Sequence, residues 1–196
     1  MNVRKAARSR GWTERANRIV AAASMDSTSA ERSYVIVDCA HAPTLHAQII
    51  ESATMSWCLF GDQESLHVRT VAPYLLELGP DHGLHMLIAE GHGRAWCTYL
   101  RSELPAESLL EHLRRFVKCR QPVAEVRTVD AYFAFWDPRV ALHWLPSLSD
   151  EAAARFFSGI SAFLAEHPTE PETLIRFRLR GGQVMHDLVP LSGADE

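Results

Sequence analysis

What the chain lacks removes several chemistries before any motif is read. Only four of its residues are cysteines, Cys39, Cys58, Cys97 and Cys119, and no two form a Cys-x-x-Cys pair. A zinc ribbon and a thioredoxin-like centre are therefore not expected, and free buried thiols are. No apolar run approaches the roughly 20 residues that a membrane-spanning helix needs, and the N-terminus lacks the apolar stretch of a secretory leader. The expected location is the cytoplasm, with no membrane partner. No Walker loop occurs, and Gly91–His92–Gly93 is not followed by the third glycine of a dinucleotide fingerprint. Nor does any serine sit in a Gly-x-Ser-x-Gly elbow.

Charge is also unevenly supplied. The net value is −4, yet residues 1–30 carry six cations (Arg4, Lys5, Arg8, Arg10, Arg15, Arg18) against Glu14 and Asp26, which leaves −8 on the remainder. An acidic body argues against nucleic acid as a partner. Residues 1–32 mix Arg, Ala and Ser with little apolar periodicity and read as a basic, disordered tail, a start placed too early, or a basic arm for a partner.

Hydrophobic patterning organises the rest of the chain into an α/β (α+β) fold, with a mixed sheet, flanking helices, a helical C-terminal lobe and a terminal β-hairpin. Residues 33–146 form the expected core and 147–196 the lobe with its hairpin. Tyr34–Cys39 is rich enough in β-branched residues for a buried strand, and Leu45, Ile49 and Ile50 recur at helical spacing after Pro43–Thr44. Trp57–Phe60 reads as a strand closed by Gly61–Asp62, and Val71–Leu78, interrupted by Pro73, as an edge strand or extended segment. Leu84, Leu87 and Ile88 mark a short helix, and Ala95–Leu100 a strand. From Pro105 to Lys118 an apolar stripe (Leu109, Leu110, Leu113, Phe116, Val117) carries acids early and bases late, which predicts a helix with a solvated charged face. Ser149 is expected to cap a second long helix running through Phe156, Phe157, Ile160, Phe163 and Leu164. Leu174–Arg180 and Val184–Val189 flank Gly181–Gly182, a two-residue hairpin signal. The stripe Arg176, Arg178 and Arg180 serves either an acidic partner or the blunting of a sheet edge.

The stretch Tyr132–Val140 stands out. Ala131, Phe133 and Phe135 on one side and Tyr132, Ala134 and Trp136 on the other predict a central strand that neither side exposes to water. Asp137 is then a favoured N-cap and Pro138 a favoured first helical residue. Arg139 opposes the helix macrodipole in that first turn, so a nearby carboxylate is expected to pair it, within the fold or on a partner.

Two constellations invite enzymatic readings. Cys39 and His41, two apart in an extended segment, point the same way as a nucleophile and base would, although an apolar run raises a thiol's pKa. Asp81, His82, His85 and His92 cluster in sequence, but no Glu stands between His82 and His85, and Gly83 weakens a helix there. A small Cys/His-dependent or metal-dependent enzyme is the alternative that these residues keep open; neither set assembles a convincing active site, and no cofactor is expected.

Four segments in order carry a resemblance: Tyr34–Val35–Ile36–Val37–Asp38, Ala72–Pro73–Tyr74–Leu75–Leu76–Glu77–Leu78, His112–Leu113–Arg114–Arg115 and Phe135–Trp136–Asp137–Pro138–Arg139–Val140. Together they resemble the type VI secretion effector chaperones, or adaptors (Tap/TEC-like), long catalogued as a domain of unknown function. The resemblance spans about Tyr34 to Leu164. Trp136 departs from the Tyr or Phe expected more often at its position. What the resemblance implies is a non-catalytic cytoplasmic protein that binds one toxic effector and helps load it onto the spike protein VgrG. It carries Asp137, Arg139, His112 and Arg114 over as matched positions. Trp136 and Tyr132 stand beside Arg139, and aromatic and Arg side chains are the usual anchors of a protein-binding surface.

Overall fold

Strand β1 (Arg32–Asp38) takes the central place, with Val35, Ile36 and Val37 wholly buried. The computed structural model describes residues 3–25, 30–52, 54–79, 82–124 and 127–191. Among them the other strands are β2 (Ser56–Cys58), β3 (Pro73–Glu77), β4 (Cys97–Ser102), β5 (Lys118–Ala124), β6 (Arg127–Tyr132), β7 (Ile160–Glu166), β8 (Thr173–Arg180) and β9 (Gln183–Pro190). The helices are α1 (Val3–Ser24), α2 (Leu45–Glu51), α3 (Leu66–Thr70), α4 (His82–Gly91), α5 (Ala106–Val117), α6 (Pro138–Trp144) and α7 (Asp150–Phe156). Seven strands form one sheet in the order β2-β3-β1-β4-β7-β8-β9, and β5 and β6 form a separate ribbon.

The α+β class holds. All strand pairs are antiparallel, so the sheet is not mixed. Because side chains alternate along a strand, β1 sends Val35 and Val37 to one core and Tyr34 and Ile36 to the other. The first core is closed by Ile19, Ala22 and Ala23 of α1, Leu45 and Ile49 of α2, and Leu84, Leu87 and Ile88 of α4. The second is closed by Leu109, Leu110 and Leu113 of α5, Ala141 of α6 and Phe156 of α7.

Four expectations give way here. The basic segment read as a tail forms α1, whose Ala16, Ile19, Ala22 and Ala23 are buried at helical spacing, and whose Arg15 and Arg18 pair with Glu172. Alanines bury little area each, so the stripe is faint in sequence. Tyr132–Trp136 is not a central strand: β6 pairs only with β5, and Phe133–Asp137 turns, with Asp137 N–H donating to the Ala134 carbonyl. A short apolar run does not tell strand from buried turn. The long helix after Ser149 stops at Phe156, and Ile160–Glu166 becomes β7 in the main sheet. Gly159, at φ +78°, makes that break in a left-handed conformation that glycine takes without strain. Finally, β3 lies between β2 and β1 and is no edge; Pro73 is tolerated because it stands first in the strand.

The hairpin forms as expected, with positive φ at both Gly181 and Gly182 and Arg180 paired with Gln183. Its arginine stripe is turned inward in part. Asp187, the cross-strand partner of Arg176, accepts hydrogen bonds from Arg176 and, at 3.2 Å, from Arg178. β8 is not the edge, so those two cations serve a cross-strand ion pair.

If α1 is an integral layer, Ile19→Ala destabilises the chain by about 2–4 kcal/mol in urea denaturation, the range for a buried aliphatic truncation. A detached tail would give no change.

Candidate functional site

Segments far apart in sequence meet at the C-terminal end of β1. Asp38 caps the adjoining 3-10 turn, accepting from Ala40 N–H at 3.0 Å through one oxygen, and its other oxygen accepts from the Trp136 indole at 3.1 Å. His41 Nε2 lies 3.8 Å from the same carboxylate. Residues 38 and 136 are thereby stitched directly, strand end to turn.

Asp137 then does two things. It caps α6 by accepting the Arg139 N–H at 2.8 Å, and it grips the Arg139 guanidinium in a fork, Nε to Oδ1 at 2.9 Å and Nη2 to Oδ2 at 2.6 Å. Burial alone would raise this carboxyl's pKa, but the Arg139 hydrogen bonds outweigh it and hold the group below its ordinary value. The partner required for a cation in the first turn is thus Asp137 itself. The pair is asymmetric: Asp137 is 13% exposed at its side chain and Arg139 68%, so a fixed guanidinium stands out in solvent on a buried base.

Tyr132 shares this neighbourhood. Its ring stacks on Phe60 at 4.0 Å, Phe60 meets Trp136 edge-on at 5.6 Å, and its hydroxyl donates to Glu64 at 3.1 Å. His112 and Arg114 play another part. The His112 ring is buried and its Nε2–H donates to the Phe156 carbonyl at 2.8 Å, while Arg114 donates to the Cys58 carbonyl at 2.7 Å. Both brace α5, and the ring contacts His112–Phe116–Phe156–Phe135–Trp136 link that brace to the Asp137 turn.

The other constellations do not gather. Burial pushes the Cys39 thiol up to about 12, and His41 is directed at Asp38. His85 Nε2 bonds the Gly79 carbonyl, and no group of three or more metal ligands exists among the described residues. Asp81 and the side chain of His82 lie outside the described residues.

One pair escapes sequence reasoning. Glu166 ends β7 almost fully buried, its Oε2 accepting from Gly93 N–H at 3.0 Å and Ala95 N–H at 3.4 Å. Its Oε1 faces His92 Nδ1 at 3.6 Å, and neither atom has another hydrogen-bond partner among the described residues. His92 Nε2 must carry the ring proton, because it bonds the Pro171 carbonyl, which only accepts. Two lone pairs would therefore oppose each other if Glu166 were ionised. Burial raises Glu166 to about 7 and lowers His92 from its ordinary value. No spacing rule joins residues 92 and 166. The pair lines a groove of about 520 Å³ together with Pro138, Arg139 and Leu142, residues 93–95, residues 167–169 and Pro171.

A family model described as a domain of unknown function (DUF4123) matches residues 33–155, more than half the chain. The chain belongs to the DUF4123 family. No curated protein and no solved structure matches it. The DUF4123 match contains the Asp38, Trp136, Asp137 and Arg139 assembly entire, and it leaves out α1 and β7–β9.

The raised Glu166 value fixes a sign. The folded chain holds this proton more tightly than the unfolded chain, so the stability held below the ordinary carboxyl range is lost as pH rises to about 7. Glu166→Gln keeps the acceptor for Gly93 and Ala95 and offers N–H to His92. Its melting temperature should match the native chain's near pH 5 and exceed it at pH 8, by a margin equivalent to about 2–4 kcal/mol. Thermal unfolding across that range checks it; equal melting at pH 8 contradicts it.

Proposed function

We propose that this DUF4123 chain is a type VI secretion chaperone, or adaptor, that binds one toxic effector in the cytoplasm and promotes its loading onto the VgrG spike. No covalent bond is made or broken in its interior. Family membership and the four matched segments support the reading, and the observation that carries it is the Trp136–Asp137–Pro138–Arg139 turn. A guanidinium clamped by a buried carboxylate is pre-organised, so a partner's acceptor meets it at little further entropy cost. Tyr132, stacked on Phe60 and 44% exposed, adds a rigid aromatic surface at the same end of the fold. Arginine and tyrosine are the residue types on which protein interfaces concentrate their affinity.

The enzymatic alternative has less to draw on. Burial raises the Cys39 thiol to about 12 and so disfavours the thiolate that a nucleophile needs.

Co-expression with the products of the neighbouring open reading frames tests the proposal. The native chain should co-purify with one toxin and keep it soluble. Arg139→Ala, itself soluble and monodisperse, should recover it about tenfold less well, the loss expected for an interface anchor. Undiminished recovery removes Arg139 from the interface. Capture of the spike with no toxin overturns the chaperone reading in favour of a spike-binding module.

A further inference from the structure

The groove over the Glu166–His92 pair has a chemistry of its own. At its mouth stand Arg94 and Arg139, 56% and 68% exposed at their side chains. Each has its counter-charge behind it: Asp137 grips Arg139 and Glu90 lies 3.8 Å from Arg94, and neither carboxylate lines the groove. Arg94 makes no side-chain hydrogen bond among the described residues and rests over the Trp96 ring at 5.1 Å. Arg139 makes no hydrogen bond through Nη1 among the described residues. Donors are thus positioned toward the groove and not consumed by the fold. The walls are apolar and stiff, from Pro138, Leu142, Pro168 and Pro171. At the floor is the Glu166 carboxyl, with the acceptor Nδ1 of His92 facing it.

We infer that this groove seats an extended acidic segment of a client protein, with carboxylate side chains on Arg94 and Arg139 and apolar side chains between the proline walls. An extended chain suits the space better than a helix: a helix about 10–12 Å across would fill about 520 Å³ with roughly a single turn. A protonated Glu166 leaves the floor neutral toward such a segment, and an ionised one repels it. The charged and titratable groups around the pair are Arg15 and Arg18 of α1, His167 and Glu172 of the loop after β7, Arg94 and Arg139 of the groove lining, and Cys97 and Tyr99 of β4. Burial raises the pKa of the Cys97 thiol and of the Tyr99 phenol, so both stay neutral between pH 6 and 8. The assignment rests on the client-binding reading only in naming the segment's owner; the chemistry of the groove stands apart from it.

A yeast-displayed library of random decapeptides, selected against the native full chain at pH 6, tests the groove without any toxin. Selected peptides should be rich in Asp and Glu beside apolar residues. They should bind Arg94→Glu about tenfold more weakly and bind a distant charge reversal, Arg115→Glu on α5, as they bind the native chain. Should Arg94→Glu misfold, Thr169→Glu places a negative charge on the groove lining and should weaken binding likewise. Affinity for the native chain should fall about threefold to tenfold between pH 6 and pH 8, and that fall should be lost in Glu166→Gln and kept in His167→Asn, which removes the neighbouring groove-lining imidazole. Selection of peptides without acidic enrichment, no selection at all, or equal binding to Arg94→Glu would overturn the assignment. Acidic peptides seated in the groove of a chain that captures no toxin would leave the groove standing and remove the chaperone reading.

Discussion

Both cores are laid against a strand whose middle residues, Tyr34–Val37, touch water on neither face. Val35 and Val37 feed one core and Tyr34 and Ile36 the other, so β1 requires helices on both sides of the sheet and strands on both of its edges. At about 1.5–3 kcal/mol for each fully buried large side chain, this one strand couples the two layers more strongly than any surface ion pair does. Its last residue, Asp38, is where the dry interior ends. A carboxylate there needs partners, and it finds them in Ala40 N–H and the Trp136 indole.

That anchoring explains how a turn comes to display a charged group in a fixed position. Trp136 is held by Asp38 and by edge-on contacts to Phe60 and Phe135, so the backbone of the next residues has little freedom. Asp137 and Pro138 then start α6 with a satisfied N–H and a preset φ. Arg139, unfavourable to the helix dipole, is stabilised by the same carboxylate that caps the helix. A Lys at this position would keep the charge and lose the two-point fork. The exposed cation is therefore a product of the buried strand, transmitted through one indole and one carboxylate.

The parts of this arrangement that were legible in the sequence are those governed by local rules. The amphipathic stripe of α5, the Asp137–Pro138 helix start and the Gly181–Gly182 turn depend on neighbours within a few residues, and each appears where the pattern places it. The need of Arg139 for a carboxylate was readable too, though whether the partner lay in the fold or outside it was not. Failures gather where tertiary context decides. Phe133–Trp136 is apolar in every direction, which suits a central strand and an aromatic plug equally, and only the packing of Phe135 against Trp144 and Phe156 chooses. Ile160–Leu164 carries residues at helical and strand spacing alike, and Gly159 resolves the ambiguity through a conformation invisible to hydrophobic periodicity. The Glu166–His92 pair joins β7 to the end of α4, and no local signal encodes such a meeting.

The groove also depends on elements beyond the matched family region. Its Pro171 carbonyl is bonded by His92, and the adjacent Glu172 is held by Arg15 and Arg18 of α1. Glu166 sits on β7, and both α1 and β7 lie outside residues 33–155. The Asp38–Trp136–Asp137–Arg139 assembly lies wholly inside them. Pro138, Arg139, Leu142 and the 92–95 segment of the groove thus come from the matched region, whereas Glu166 and the Pro171 carbonyl that orients His92 come from outside it, so the matched region alone would not complete the groove.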